Sequence, residues 1–292
     1  MSIVSRFAPS PTGPLHLGHA FSAMLAHDMA RAVGGDFLLR IEDIDRARAR
    51  PEWEALIFED LHWLGLRWLQ PVMRQSNRLP AYGEALDMMW EMGLLYPCSC
   101  TRRDIAEALS APQEGVTQGP DGPVYPGTCR PATPPTGPRP DGVLRLDMAR
   151  AVARLSATDM PETLDFVETG DQTDKFATSL PLPRMIDTCG DIVLARRGMG
   201  TSYHLSVVVD DAAQDITHVT RGADLGPATL VHVLLQRLLG FPTPVYHHHR
   251  LIRDEAGKRL AKRDDARAIR LYRDEGLTPA ALRARLRLPP AP

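Results

Sequence analysis

The sequence is short of the features that place a protein outside the cell or in a membrane. Cysteine occurs four times in 292 residues, too few for a disulfide scaffold in a chain of this length. No run of about 18 apolar residues is present, so no helix is expected to span a bilayer. The opening residues MSIVSRFAPS lack the charged-then-apolar pattern of a secretory leader, and the cytoplasm is the expected compartment. Charge is nearly balanced, at −2 overall. That excludes a sequence-blind polycation and requires any nucleic-acid partner to meet a local basic patch. The GxGxxG fingerprint and the Walker phosphate loop are both missing, and no internal repeat is found. What is present, 43% hydrophobic and 24% charged residues, suits a packed core. The length suits two domains, or one with a large insertion.

SIVSRFA, from residue 2, reads as a short buried strand. Leu17, Phe21, Met24, Leu25 and Met29 recur at helical spacing between Leu15 and Val33, and Gly34-Gly35 ends that helix. DFLLRIED is a second strand, and residues 51–66 and 80–95 look helical. Strand, helix, strand and further helix predict a doubly wound parallel α/β sheet. Residues 111–142 hold nine prolines and six glycines, so an irregular, functional or mobile stretch is expected there. GVLRLDMA resumes strand-like alternation, and SYHLSVVVDDAAQDITHVTRG reads as a buried strand, a turn region and another strand. PATLVHVLLQRLLG is a helix with Pro227 near its start and Gly240 as its stop. The strand-like PVYHHHRLI leads into a basic loop, RDEAGKRLAKRDDA. In the tail, Thr278 and Pro279 mark the start of a last helix.

The stretch RFAPSPTGPLHLGHA, residues 6–20, runs from a strand through a Pro/Gly turn to a helix start. Such a turn aims backbone N–H groups and a helix dipole at an anion. His16 and His19 are three apart and share one face. Gly18 between them lets a flat ligand approach the backbone. Two imidazoles beside a phosphate can donate hydrogen bonds as charge builds during nucleotidyl transfer. A bare HxxH is more often two surface histidines; here the flanking turn favours a site. Cys98, Cys100 and Cys129 bracket the Pro/Gly stretch, and thiolates so tethered favour a structural, tetrahedral Zn²⁺. On sequence alone, Cys189 is the fourth ligand. The three histidines at 247–249 alternate faces along a strand, cannot all bind one ion, and are assigned no role.

The stretch RFAPSPTGPLHLGH resembles the HIGH signature of the class I aminoacyl-tRNA synthetases in its glutamyl-specific form. LLRIEDIDRARAR, WLGL, YPCSCT, YPGTCR, VVVDD, TRGADL and GKRLAKR follow in that family's order, from residue 3 to about residue 265. The resemblance implies a class I synthetase Rossmann-type parallel sheet core with an inserted, zinc-containing acceptor-end module and a short helical C-terminal tail. Residues 1–96 would be the first half of the core, 97–190 the insertion, 191–265 the second half with the KMSKS-like loop, and 266–292 the tail.

It also implies that L-glutamate is activated by ATP with Mg²⁺. In that reading His16, His19 and Lys262 are catalytic, and His16, Gly18, His19 and Lys262 hold ATP. Glutamate carries one ammonium and two carboxylates, so its pocket needs an acid and arginine forks. Glu42 matches the family's amino-group ligand, and Arg6, Ser10, Tyr203 and Arg221 match its other glutamate contacts. Which arginine meets which carboxylate stays open. Arg40 is read instead as a core arginine paired with Asp43 or Asp45. For the metal, the resemblance offers Tyr125 in place of Cys189 beside Cys98, Cys100 and Cys129. The KMSKS-like loop departs from the family's K-L-S-K: it reads Arg259-Leu260-Ala261-Lys262, without the hydroxyl.

After Lys262 come seven arginines, at 263, 267, 270, 273, 283, 285 and 287, against four acids. That tail is expected to make a helix or two rather than an anticodon-binding domain, and LRLPPAP reads as a natural end. Within the family this pattern is most like the short glutamyl-Q branch, which implies ATP, L-glutamate and queuosine-containing tRNA(Asp) as partners. No membrane and no obligate protein partner are expected. The alternatives are a discriminating glutamyl-tRNA synthetase making a 3′ ester, and a catalytically silent tRNA-binding protein.

Overall fold

The computed structural model describes residues 2–109, 117–158, 161–171, 173–252 and 267–292. The chain opens on β1 (Val4–Phe7), α1 (Leu17–Arg31) and β2 (Asp36–Ile41), followed by α2 (Pro51–Trp63), β3 (Leu69–Arg74) and α3 (Leu79–Glu91). A run of small elements follows: β4 (Leu95–Pro97), α4 (Arg102–Leu109), β5 (Gln118–Gly119), β6 (Gly122–Pro123), β7 (Leu144–Leu146) and α5 (Met148–Ser156). Then come β8 (Thr163–Asp165), β9 (Ser179–Pro181), α6 (Arg184–Thr188), β10 (Val193–Ala195) and α7 (Tyr203–Ala213). The chain closes with β11 (His218–Gly222), α8 (Thr229–Leu239), β12 (Val245–His249), α9 (Ile269–Asp274) and α10 (Pro279–Arg285).

Five strands make one parallel sheet in the order β12-β11-β1-β2-β3. The first three strands step one way from β1 and the last two step the other. The strand order therefore reverses between β1 and β11, the place where open α/β sheets leave a crevice beyond their carboxyl ends. A smaller antiparallel sheet, β10-β7-β4, lies outside the parallel one in strand order.

Alternation along β2 divides the core. Phe37, Leu39 and Ile41 join the apolar cluster formed with α1, α2 and the tail helices, whereas Leu38 packs on the cluster formed with α3, α7 and α8. α1 buries Leu17, Phe21 and Met24, while Leu25 and Met29 are only half-buried. α8 stops at Gly240, whose φ of 71° is the left-handed conformation of a helix end. α10 starts as expected, with the Thr278 hydroxyl accepting from the Ala281 N–H at 3.2 Å.

Two expectations are corrected. SYHLSVVVDDAA is a helix, α7, and not a strand. Ser202 caps it, accepting from the Leu205 N–H, and every residue from His204 to Asp211 is buried. A segment buried all round shows no helical period, and its three consecutive valines imitate a strand. The second concerns LQPVMR, which forms the edge strand β3 where no strand was foreseen. Its exposed start and its Pro71 break the alternation, as an edge position permits. Within 117–142, regular structure is limited to the two-residue pair β5–β6. Among the described residues no helix is long and apolar enough to cross a membrane.

Candidate active site

The turn after β1 is tied by its own carbonyls to the end of β2 and the start of α2. Pro9 O accepts from the Glu42 N–H and Pro11 O from the Arg50 N–H, each at 3.0 Å. His16 then caps α1 reciprocally with His19. The His16 ring accepts from the Gly18 N–H through Nδ1, and His19 Nδ1 accepts from the His16 N–H, each at 3.1 Å. The two rings lie 3.8 Å apart between centroids. Because both Nδ1 atoms accept, the neutral rings carry their protons on Nε2, as donors. At Gly18 a Cβ would meet His16 Cε1 at 3.0 Å, so a side chain there would press on the His16 ring.

One cavity of about 1030 Å³ opens over the carboxyl ends of the strands. Arg6, Ser10, Glu42 and Arg221 line it from the strand ends, His16, Gly18 and His19 from α1, and Tyr203 from α7. Every sequence-predicted glutamate or ATP residue that is described is therefore brought together. Lys262 lies outside the described residues, as do Arg259 and Ala261.

Beneath the cavity, charge is concentrated. Asp211 on α7 meets Arg6 in a two-point contact, at 2.9 and 3.2 Å, and accepts from Arg40 at 2.7 Å. Arg40 is a core arginine, but its partners are Asp211, Asp210 and Glu42. Asp43 instead accepts from the Ser76 N–H and Asp45 from Arg48. Arg40 shares the β2 face with Leu38 and so points toward α7, which explains the exchange. Burial works to protonate Asp211, and Arg6 and Arg40 overcome it, holding the carboxyl below its usual range. At Glu42 burial wins over Arg40 and Arg6, and its carboxyl is pushed up to about 7.

Sequence reasoning missed several cavity residues, among them His204, Asp121, Arg102 and Arg196. Reading 203–211 as a strand hid His204, because it placed Tyr203 and His204 on opposite faces. The three adjacent histidines do separate: His248 bonds Glu168 and Arg221, while His249 stacks edge-on against Phe21 of α1.

Among the described residues one group of three metal-binding side chains stands together: the sulfurs of Cys98, Cys100 and Cys129 lie within 4.8 Å of one another. This group can hold a metal ion. Tyr125 Oη is 3.2 Å from Cys100 Sγ and 3.6 Å from Cys98 Sγ. Cys189 lies elsewhere, its sulfur against Met185 Sδ at 3.9 Å. Arg145 donates to Cys98 Sγ at 3.2 Å and lies over the Tyr125 ring, a cation beside the cluster of sulfurs. The Tyr125 hydroxyl, working against burial, pushes the Cys129 thiol down to about 6.

The sequence profile described as tRNA synthetases class I (E and Q), catalytic domain, matches residues 2–289. The chain belongs to that family. It is a class I tRNA synthetase-type ligase with the parallel sheet of its class. It is 62% identical to the glutamyl-Q tRNA(Asp) synthetase of Rhodobacter capsulatus over 96% of this chain and 98% of the relative. To the protein of the same name from Geobacter sulfurreducens it is 42% identical, over 99% and 86% of the two chains. Among solved structures it is similar to a glutamate tRNA ligase of Elizabethkingia meningosepticum, solved in complex with its amino acid. That match has 26% identity and a TM-score of 0.65, over 90% of this chain. The class I chain here spans about half of that ligase, 52% of its length.

Proposed function

We propose that this ligase forms glutamyl-adenylate from L-glutamate and Mg-ATP without needing tRNA, and then transfers the glutamate to queuosine in the anticodon loop of tRNA(Asp). The observation that carries the reading is the meeting, in one cavity, of an acid and two arginines with a histidine pair at a helix start. The name of the relative at 62% identity supports the choice of acceptor.

Glutamate's carboxylate is ionised at neutral pH and attacks the α-phosphorus of ATP without a general base. The P–O bond to pyrophosphate breaks, and pyrophosphate leaves with Mg²⁺. The Nε2–H groups of His16 and His19 stabilise charge on the phosphoryl oxygens, and Lys262 holds the outer phosphates. Glu42 takes the substrate ammonium; Arg6, Ser10, Tyr203 and Arg221 orient its carboxylates. A hydroxyl of the modified base then attacks the mixed anhydride, AMP leaves, and the hydroxyl proton passes to solvent.

In this reading Cys98, Cys100, Cys129 and Tyr125 hold a structural Zn²⁺, which knits residues 97–190 together as an insertion between core halves 1–96 and 191–265. The reaction is assigned to the cytoplasm, where its three substrates meet.

The deciding experiment incubates queuosine-containing tRNA(Asp) with ATP and labelled glutamate, then separates anticodon and acceptor fragments. Label is expected on the anticodon fragment, and none on tRNA with unmodified guanosine there. Label on the terminal adenosine would make it a 3′-charging enzyme.

A further inference from the structure

Arg221 sits at the origin of two hydrogen-bond chains whose direction chemistry dictates. A guanidinium only donates. Its Nε reaches His248 Nε2 at 3.1 Å, one terminal nitrogen reaches His232 Nδ1 at 3.1 Å, and the other reaches Thr229 Oγ1 at 2.7 Å. His232 Nδ1 must therefore accept, which leaves the ring proton on its Nε2. That atom is 3.0 Å from His204 Nδ1, which must accept in turn. His204 then carries its proton on Nε2, 3.0 Å from Asp121 Oδ1. On the other side His248 keeps its proton on Nδ1 and gives it to Glu168. One buried cation thus sends two chains outward through neutral imidazoles, each ending on a carboxylate.

The burial of the rings agrees with this. His232, His204 and His248 are 2%, 3% and 0% exposed. Burial and the neighbouring Arg221 hold His232 well below an ordinary imidazole and bring His248 down to about 4. Asp121 is different, with a side chain 48% exposed on the turn between β5 and β6.

We infer that His232, His204 and Asp121 are positioning residues that fix the orientation of the Arg221 guanidinium toward the amino-acid substrate. Among the described residues three of its five N–H groups are bonded, which leaves one on each terminal nitrogen for a carboxylate. The inference rests on Arg221 being a glutamate contact. Asp121 locks at the far end the direction that Arg221 sets. Without that carboxylate, His204 can shift its proton to Nδ1 and donate toward His232. His232 then turns its own proton to Nδ1, against Arg221, and the bond to the guanidinium is lost. Asp121 also lies four residues from Tyr125 in the sequence. The segment that carries Tyr125 and Cys129 therefore reaches the cavity.

The test is glutamate-dependent ATP–pyrophosphate exchange, with KM measured separately for glutamate and ATP. His232→Leu, which cannot accept, should raise the glutamate KM roughly tenfold or more, the scale of one lost bond to a charged group, with the ATP KM unchanged. His232→Asn places an amide oxygen near the Nδ1 position and should recover most of that loss. Asp121→Ala, at a half-exposed site that leaves the core intact, should also raise the glutamate KM selectively. It decides the matter if His232→Leu does not fold. An unchanged glutamate KM in Asp121→Ala, or equal rises for glutamate and ATP, overturns the inference. Failure of the unaltered protein to exchange with glutamate overturns the reading of the site itself, and this inference with it.

Discussion

Arg6 on β1 and Asp211 on α7 meet edge to edge at the point where the strand order reverses, with Nε–Oδ1 at 2.9 Å and Nη2–Oδ2 at 3.2 Å. The same carboxylate also takes Arg40, which is wholly buried. Asp211 therefore serves both arginines, with Asp210 and Glu42 also beside Arg40. Removing Asp211 takes the shared carboxylate from two buried guanidinium groups, the costly way to break a buried ion pair. Asp211→Ala is expected to destabilise the fold by about 3–5 kcal/mol, read by urea unfolding. A loss below about 1 kcal/mol, the value of a surface pair, would show that the charge is balanced in another way.

Glu42 gives a pH signature with a definite sign. Its carboxyl is pushed up to about 7, burial being the largest cause. Below that value it is protonated and offers an ammonium no charge; above it the carboxylate is available. The glutamate KM in pyrophosphate exchange should fall as pH rises toward 7, by up to about tenfold per unit, and then level off. Glu42→Gln should show a high KM and no such slope. A slope that survives the substitution would assign the titration to another group.

The HIGH-like turn was legible because its cause is local. Prolines, glycines and two histidines at spacing three specify a strand, a turn and a helix start with little outside help. Arg40 was only half legible: its burial could be guessed, but its partners depend on which helix crosses the β2 face. That helix, α7, was the element most misread, since complete burial removes the periodicity that separates helix from strand. With it went His204 and the pairing of Asp211 with Arg6, because both depend on α7 being a helix. The cysteine cluster was visible as C-x-C and a distant Cys129. The choice of Tyr125 over Cys189 as its neighbour came from resemblance and not from spacing.

The histidine pair has two jobs that differ in scale. His19 Nδ1 accepts the His16 N–H and so helps cap α1, a contribution of about 1 kcal/mol to stability. As a donor to a phosphoryl group in the transition state it is worth about 10²-fold or more in rate. His19→Ala should therefore lose at least about 10²-fold in exchange rate while its melting temperature falls only a few degrees. Lys262→Ala should lose activity on a similar scale through the outer phosphates of ATP. Equal exchange rates in both variants and the unaltered protein would remove phosphoryl transfer from this cavity.

The metal prediction follows from where the four cysteines stand. Cys98, Cys100 and Cys129 converge and Cys189 does not, so metal analysis of purified protein should find about one Zn²⁺ per chain. Cys98→Ser should lose it, and Cys189→Ala should keep it. Tyr125→Phe separates two roles for the phenol. As a ligand, its loss lowers affinity strongly; as a hydrogen-bonding neighbour of the sulfurs, its loss leaves occupancy near one and weakens retention under chelator only modestly. The position of Tyr125 Oη, 3.2 Å from Cys100 Sγ and accepting from the Cys129 N–H at 2.8 Å, predicts the stronger effect. The Cys129 thiol sits at about 6, so thiolate is present at neutral pH and is lost as pH falls through that value. Against the Tyr125 hydroxyl, burial and the neighbouring sulfurs raise the Cys100 thiol. Affinity should therefore already fall as pH drops through neutrality and fall further below about 6, because each proton taken up competes with the ion for sulfur. Full occupancy after Cys100 and Cys129 are changed together would end the assignment.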